Sequence, residues 1–346
     1  MRRGLAGVLG ALAVCLVAAA PQRGDPAARL STADEALEYW DFVASFEQGH
    51  RFAARVLITN EGPGQRTAVA VGHLVMPDGS IVEFRNGRLE DSWSIESDAL
   101  RLKIGSSELD LHGPVRALVH DNNRRGIHIA LRFASEGPAR APAAGERRDY
   151  RTDLLDLATP VEGTVFLTGM AAPVAIRGRG TISHTWMDAS EPTLLLRRLD
   201  FASSDGSVGI YLQDLTDPGG ARTRWLVVER SGALLAERSD FEVEIEPGAA
   251  ARGERGYPVP AALRLRGPGL SGKVALGRTL IEHEPLGDLP QPFRFLLSFA
   301  MRPRRVWTDA SFSLRLDAVP GRPDFEFAGN GIVSVTYLNP LASPAS

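Results

Sequence analysis

Period-two alternation of apolar and polar residues is the feature that most restricts how this chain can fold. From residue 35 onward the alternation runs in short segments, separated by turn chemistry such as Pro-Asp-Gly at residues 77–79 and Asn-Gly at 86–87. Glycine accepts a positive φ at no steric cost, so these runs favour hairpin turns. Strands that recur roughly every ten residues predict an all-β fold whose antiparallel meander closes into a barrel. Helical periodicity is limited to a single turn predicted at residues 31–38.

The predicted strands form two series that are separated by a break at residues 189–192. The first series consists of residues 51–59, 67–76, 80–84, 92–104, 115–120, 126–133, 161–167 and 173–186. The second consists of residues 193–201, 208–212, 225–229, 233–238, 241–246, 262–265, 273–276, 293–301, 312–316 and 332–338. A patternless stretch at residues 135–148 is predicted to be a surface loop. We therefore place a domain boundary near residue 190, which gives two halves that are each long enough for a core.

The first 28 residues have the layout of an export signal. Met-Arg-Arg precedes an apolar stretch from residue 5 to about residue 20, which suits a signal peptide and is short for a membrane span. We predict a signal peptide at residues 1–28 and a periplasmic or extracellular location, with an uncleaved N-terminal anchor as the alternative. Cys15, the single cysteine, lies in this segment, and a lipoprotein is less favoured because Val14 precedes it. A mature chain without cysteine forms no disulfide and no thiolate.

The net charge and the histidine pattern argue against nucleic acid and metal as partners. The formal net charge of −3 gives no general attraction to nucleic acid. Glu282, His283 and Glu284 are adjacent, but on a strand the two carboxylates share a face and the imidazole points away. His120 and His128 flank a turn and are predicted to face each other across a hairpin, which without a third ligand makes a weak metal site. We therefore expect no metal and no other cofactor.

A short basic stretch precedes the last predicted strands. Arg302, Arg304 and Arg305 stand close in sequence to Phe299 and Trp307. Contact with anionic lipid headgroups at a membrane surface is one interpretation of this stretch. A solvated loop is the favoured interpretation, because clustered charges most often face water.

Three separate segments resemble the signatures of a known family. Residues 178–186 run Gly-Arg-Gly-Thr-Ile-Ser-His-Thr-Trp, residues 329–337 run Gly-Asn-Gly-Ile-Val-Ser-Val-Thr-Tyr, and residues 38–42 run Glu-Tyr-Trp-Asp-Phe. Together they resemble segments of the lipocalin-like family that includes bacterial carotenoid 1,2-hydratases, AttH-type proteins and survival-factor proteins. The resemblance implies two lipocalin-like antiparallel β-barrel domains side by side, at residues 29–190 and 191–346.

The chain departs from the hydratase branch of that family where the branch carries acids. Ser183 stands where the first signature has Asp, and Ser334 stands where the second has Glu. Tyr337 replaces a glycine, and Asp41 stands where tyrosine is usual. Protonation of an alkene carbon needs a well-placed acid, and a serine hydroxyl is far too weak an acid for that step. The resemblance thus implies the scaffold without its proton donors, and we expect no hydration of acyclic carotenoids.

The candidate ligand-binding residues come from the same segments: Tyr39, Trp40, His184, Trp186 and Tyr337. Strand alternation sends His184 and Trp186 to one face and Ser183 and Thr185 to the other. We predict that Trp40, His184 and Trp186 line one apolar chamber. A core histidine that is bonded to a backbone carbonyl is the alternative interpretation of His184.

The catalytic candidates are few. If the chain is an enzyme, His184 or Asp41 moves the proton, with Glu38 as the other carboxylate near the aromatic segment. An acid that protonates carbon needs a raised pKa in an apolar pocket.

Two functions from different classes follow from these residues, and the missing acids favour the first. The first is an exported carrier that holds an apolar ligand, a lipid or an isoprenoid-like molecule, in a barrel cavity. The alternative is a hydratase, isomerase or cyclase that acts on an isoprenoid-like or polyketide-like substrate. A third interpretation is an exported β-scaffold that contacts other envelope proteins through apolar surface patches.

Overall fold

The structure is a computed structural model of the 346-residue chain. It describes residues 22–24, 26–61, 66–96, 100–142, 149–204, 208–248, 257, 259–285, 303–317 and 324–338. Nearly all of the predicted signal segment, with Cys15, and the strand predicted at residues 293–301 lie outside the described residues. No helix in the described ranges is long and apolar enough to cross a membrane.

Within these ranges, one short helix separates two runs of strands. The first run is β1 Gln22–Arg23, β2 Leu37–Phe46, β3 Arg51–Thr59, β4 Thr67–Val75, β5 Ile81–Arg88, β6 Trp93–Glu96, β7 Arg101–Ile104, β8 Ser107–Asp110, β9 Val115–Asn122, β10 Ile127–Ala134, β11 Arg140–Ala141, β12 Arg151–Leu167 and β13 Val174–Met187. A 3-10 turn at Glu90–Ser92 precedes β6, and the helix α1 covers Glu191–Leu194. The second run is β14 Arg197–Ser203, β15 Gly209–Thr216, β16 Arg222–Arg230, β17 Ala233–Arg238, β18 Glu242–Pro247, β19 Pro260–Gly267, β20 Leu270–His283, β21 Arg304–Leu316 and β22 Phe325–Tyr337.

Each run of strands forms its own antiparallel sheet. The order in the first sheet is β5-β4-β3-β2-β13-β12-β10-β9-β8-β7-β6, with β1 and β11 attached beside β12. The order in the second sheet is β17-β16-β15-β14-β22-β21-β20-β19-β18. In both sheets an early strand of the run pairs with the last one, β2 with β13 and β14 with β22. The predicted all-β fold of two barrel-like sheets is confirmed.

Side chains near the two edges of each sheet meet, which shows that both sheets curl. Asn86 of β5 donates from its amide to the Ser107 hydroxyl of β8 at 2.9 Å. Arg222 of β16 donates to the Val243 carbonyl of β18 at 2.7 Å. Each curled sheet encloses its own apolar core, and a large apolar side chain buried there contributes about 1.5–3 kcal/mol. Large core side chains include Trp40, Phe42, Phe52, Phe84 and Phe133 in the first sheet and Phe201, Phe312, Phe327 and Tyr337 in the second.

Some local predictions are wrong, and each has a structural reason. The Asn-Gly pair at residues 86–87 continues β5 instead of turning, because Gly87 pairs with Val69 of β4. The single strand predicted at residues 92–104 is two strands, β6 and β7, that pair with each other. The helical turn predicted at residues 31–38 is a bend that leads directly into β2. Tertiary pairing overrides local turn propensity in these places.

The two sheets pack against each other through apolar and charged side chains. Ala53 and Val75 of the first sheet share an apolar cluster with Ile281, Trp307 and Ile332 of the second. Two ion pairs cross the same junction, between Arg140 and Glu229 and between Arg51 and Asp309. The junction is therefore well packed, and the strands that line the cleft within it include β2, β13, β14, β15, β21 and β22.

Candidate functional site

Strands β2 and β13 lie side by side at the centre of the first sheet and place most of the predicted site residues. Their register pairs Ser183 with Asp41, His184 with Trp40, and Thr185 with Tyr39. Because successive side chains on a strand point to opposite faces, one face of this pair looks into the first barrel and the other looks toward the second sheet. We call them the interior face and the junction face.

The interior face carries His184 between two indole rings. The imidazole stacks on Trp40 at 4.7 Å with 7° between the planes, and it lies 4.9 Å from Trp186. Its Nε2 is 2.8 Å from Oε1 of Glu38. Glu38 also accepts from the backbone N–H of Arg29 at 2.8 Å and so fixes the segment before β2. Thus three predicted ligand-binding residues and one predicted carboxylate share a single cluster.

Little open space remains beside this interior cluster. His184 is fully buried, and Trp40 belongs to the packed core of the first sheet. The cavity that reaches Glu38 and Trp186 measures about 20 Å³, enough for a single water molecule. The guanidinium of Arg29 lies 4.8 Å over the Trp186 ring at its mouth. The His184–Glu38 pair is therefore tightly packed beside the two indole rings.

The junction face carries Tyr39 in a buried network that reaches across to the second sheet. The Tyr39 hydroxyl lies 2.8 Å from that of Tyr150 and donates to Oε1 of Glu191 at 2.7 Å. Arg198 of β14 donates to both tyrosine hydroxyls. The Arg55 guanidinium covers the Tyr39 ring at 3.5 Å. Burial raises the pKa of Tyr39, so this phenol stays neutral.

Asp41 is the carboxylate of the junction face, and it is ionised. Arg55 donates to both of its oxygens at 2.6 Å, and Arg198 approaches Oδ2 to 3.7 Å. Burial acts to raise the pKa of Asp41, but Arg55, Arg198 and Arg305 outweigh it and lower the pKa to about 2. At neutral pH Asp41 therefore holds no proton to donate to a substrate.

A cleft opens between the sheets beside Asp41 and contains both serines that replace the acids of the hydratase branch. Ser183 of β13 and Ser334 of β22 line it together with Arg198 and Asp200. About 40 Å³ of it admits water-sized molecules, and about 450 Å³ is free of atoms when its open mouth is counted. The remaining walls are mostly apolar: Phe42, Val43, Ala54, Ala202, Trp307 and Ile332.

The second sheet supplies the charged end of the cleft. Arg198 donates to Asp200 at 2.5 Å, and Tyr211 donates to the same carboxylate at 2.9 Å. Burial raises the pKa of Tyr211 well above its ordinary value, and the nearby Asp200 acts in the same direction. Gln213 donates to Asp200 at 3.1 Å and to the Tyr211 hydroxyl at 3.2 Å. These contacts hold a neutral phenol and a guanidinium at the edge of the cleft.

Arg305 also faces the cleft, from β21. It is 6% exposed, its Nε donates to Thr336 at 3.1 Å, and its guanidinium lies 5.3 Å from the Trp307 ring. The solvated loop predicted for Arg304 and Arg305 is wrong, because both are buried in β21. The other arginine predicted in that loop, Arg302, lies outside the described residues.

The remaining predicted sites lie elsewhere in the molecule. Tyr337 stacks on Tyr257 at 5.1 Å in the core of the second sheet, apart from both faces of the β2–β13 pair. Glu282 pairs with Arg304, and His283 contacts the ring of His73 at 5.2 Å. No group of three or more metal-ligating side chains occurs among the described residues.

The two histidines of the β9–β10 hairpin do not face each other. His128 lies opposite Asp121, and His120 lies opposite Ile129. His120 points into the first barrel and stacks on Phe84 at 4.4 Å. The predicted pairing is wrong because the hairpin register places the two imidazoles on opposite faces.

Sequence reasoning missed the contribution of the second sheet to the junction. A signal was present in β14, where Arg198 and Asp200 are alternate residues on a strand that is otherwise rich in apolar side chains. The same pattern recurs in β15 with Tyr211 and Gln213. Polar residues two apart on a buried strand point to one face, where they need partners.

Comparison with solved structures finds similar folds at low sequence identity. A protein assigned as AttH from Nitrosomonas europaea matches with 12% identity and a TM-score of 0.62, over 88% of this chain and 93% of the other. CghA in its structure with Sch210972 matches with 13% identity and a TM-score of 0.63, over 88% and 89%. Kievitone hydratase from Nectria haematococca matches with 12% identity and a TM-score of 0.57, over 88% and 89%.

No family model matches the chain, and no curated protein matches it by sequence. The likeness to these solved structures shows the fold, a lipocalin-like pair of barrel-like sheets.

Proposed function

We propose that this protein is an enzyme that acts on a small, largely apolar molecule in the cleft between the two sheets, as a hydratase, isomerase or cyclase. The observation that carries the proposal is the composition of the cleft, in which apolar walls surround two buried arginines, two partly buried aspartates and a neutral tyrosine. The fold is shared with kievitone hydratase, which supports this class of activity over simple ligand storage.

Burial of so many charges is costly, which argues for a chemical role. A carrier of a purely apolar ligand gains nothing from desolvated charges in its binding site, and each such charge must be compensated by partners. Here Arg198, Asp41 and Asp200 surround the two serines of the cleft. Perturbed ionisable groups that converge on a cleft are characteristic of catalytic sites.

The groups of the cleft favour activation of an oxygen atom on the substrate. Arg198 is a hydrogen-bond donor held in place by Asp200, which also accepts the single proton of the neutral Tyr211 phenol. Donors fixed in a water-poor site stabilise negative charge that develops on a carbonyl oxygen. Such stabilisation promotes proton transfer, water addition or ring closure next to a carbonyl group.

The same groups do not favour protonation of an isolated alkene. Ser183 and Ser334 are too weakly acidic, and Asp41 is ionised because its pKa is lowered to about 2. We therefore place the substrate among conjugated carbonyl compounds of isoprenoid-like or polyketide-like type.

Deuterium exchange tests the proposal for every reaction in which a carbon of the substrate takes a proton from solvent. The purified protein is incubated in D₂O with a panel of unsaturated ketones and prenylated or polyketide-type enones, and mass spectrometry follows deuterium uptake. We expect protein-dependent uptake into at least one member of the panel. Loss of one oxyanion donor typically costs about 10²–10³-fold in rate, and we expect Arg198→Lys to lose this much. Arg179→Lys is the matched control, because Arg179 pairs with Glu136 away from the cleft.

A carrier remains the second candidate, and the two serines in place of the branch's acids favour it. In that case no substrate takes up deuterium, and organic extraction of the purified protein releases a bound apolar molecule in stoichiometric amount. That pair of results would replace the enzyme with the carrier. Under either function we propose that the protein is exported, on the strength of the leader-like residues 1–28.

A further inference from the structure

We propose that Arg305 is the docking point for a carboxylate group on the ligand of the cleft. The inference rests on the proposed function only in placing the ligand between the two sheets. It adds a chemical class, an apolar molecule with one monoanionic carboxylate, and a residue that selects it.

The first argument is that Arg305 is a buried cation without an ion pair. It is 6% exposed, and its Nε is satisfied by Thr336. None of the described carboxylates forms a salt bridge with it, whereas Arg55 pairs with Asp41 and Arg198 pairs with Asp200. An isolated buried charge is destabilising, so proteins retain one where a ligand or partner supplies the opposite charge.

The second argument is electrostatic. Burial and the positive charge of Arg55 lower the pKa of Arg305 to about 10, and the nearby Asp41 and Glu191 oppose this only in part. A guanidinium with this pKa remains protonated at neutral pH. Its desolvated charge has no carboxylate in direct contact, so a ligand carboxylate that pairs with it would be favourable.

The third argument concerns the free hydroxyls of the cleft. Ser183 and Ser334 line it beside Arg305, and neither hydroxyl has a hydrogen-bond partner among the described residues. Ser334 is the register neighbour of Trp307, the ring beside the Arg305 guanidinium. A carboxylate has several acceptor sites. It can therefore accept two N–H bonds from the guanidinium and an O–H bond from a serine hydroxyl at the same time.

The size and charge of the cleft select a carboxylate over a phosphate. The space open to water-sized molecules is about 40 Å³, and Asp41 and Asp200 already line the cleft with negative charge. A planar monoanion fits beside them with less repulsion than a tetrahedral dianion. Apolar walls that include Val43 and Ile332 would hold the rest of the molecule.

Binding of matched acid and alcohol pairs tests this inference. Geranate against geraniol, and octanoate against octanol, are measured by equilibrium dialysis on the full chain, with octyl phosphate as a third headgroup. We expect each acid to bind at least tenfold more tightly than its alcohol and more tightly than the phosphate. In Arg305→Met the preference should vanish, and in Arg305→Lys part of it should remain. Arg51→Met, which removes a junction arginine that already pairs with Asp309, should keep the preference.

Thermal unfolding separates this role from a purely structural one. If Arg305 serves the ligand, Arg305→Met should unfold at the same or a higher temperature than the wild type, because a lone buried charge has been removed. A clear fall in melting temperature, an equal affinity for acid and alcohol in the wild type, or a preference that survives in Arg305→Met would each overturn the inference. Deuterium uptake plays no part in these measurements, so failure of the proposed catalysis is a separate result.

Discussion

The two faces of the β2–β13 pair use buried charge in different ways. On the interior face, His184 and Glu38 satisfy each other within the first sheet, and two indole rings cover them. On the junction face, Asp41 takes part in a network that is completed by Arg198 from the second sheet. Alternate residues of the same two strands therefore belong to two separate side-chain networks with different partners.

This contrast shows why a motif on a strand does not identify a site. The interior face can be complete when the first sheet forms, because all of its members lie on β2, β13 and the segment before β2. The junction face joins Arg198 to Tyr39, which are 159 residues apart in sequence, and depends on how the sheets dock. We expect substitutions on the two faces to differ in their effects on stability and on ligand binding.

The largest effect is expected from removal of Arg198. It is 2% exposed and contacts Asp200, Asp41 and two tyrosine hydroxyls, so Arg198→Met leaves Asp200 without its ion pair, whereas Asp41 keeps Arg55. Breaking a buried pair in this way typically costs about 3–5 kcal/mol. Urea unfolding should show this loss, together with loss of ligand binding. Arg179→Met, at a more exposed ion pair with Glu136, should cost no more than about 1 kcal/mol. Similar losses of unfolding free energy in both variants would mean that the Arg198 network does not stabilise the junction.

The next effect is a pH dependence that comes from Asp41. Its pKa is lowered from an ordinary 3.8 to about 2, so the stability that it contributes is present above about pH 4 and is lost as the pH falls toward 2. A shift of this size corresponds to about 2 kcal/mol. Unfolding free energies of the wild type and Asp41→Asn should therefore converge between pH 5 and pH 2, by roughly this amount. A constant difference across that range would contradict the ionised state of Asp41.

A smaller effect is expected on the interior face. Glu38→Gln keeps the shape of the side chain and weakens the bond to His184, which should cost about 1 kcal/mol of stability. Because this face is closed off from the cleft, the preference for acid over alcohol should not change. Glu108→Gln, on the exposed side of β8, serves as the control. A loss of ligand selectivity in Glu38→Gln would show that the two faces are coupled.

The smallest effect is expected from restoring one acid of the hydratase branch. In Ser183→Asp the new carboxylate lies opposite Asp41 and shares the cleft with Arg198 and Arg305. These arginines favour its ionised form, so it should not become a proton donor for carbon. Chromatographic assay with an acyclic carotenoid should show no hydration by the wild type or by the variant. Clear turnover by the unmodified protein would require another acid in the cleft.

The fold was largely predictable because its signal is local. The strand predicted at residues 51–59 coincides with β3, and that predicted at residues 233–238 coincides with β17. The long strands β12 and β20 were predicted only in part, since bulges shift their register and interrupt the alternation. The interior cluster was expected from the family resemblance, and the observed register of β2 with β13 brings Trp40 beside His184.

The sequence alone determined most of the strands and the face to which their side chains point, including the shared face of His184 and Trp186. It did so because alternation and turn chemistry act over a few residues. Only the tertiary structure decided that Ser183 and Ser334 share one cleft, that Asp41 is ionised, and that Arg305 is buried without an ion pair. The physical reason is that electrostatic environment depends on the partners present after the sheets dock, and no local pattern specifies those partners.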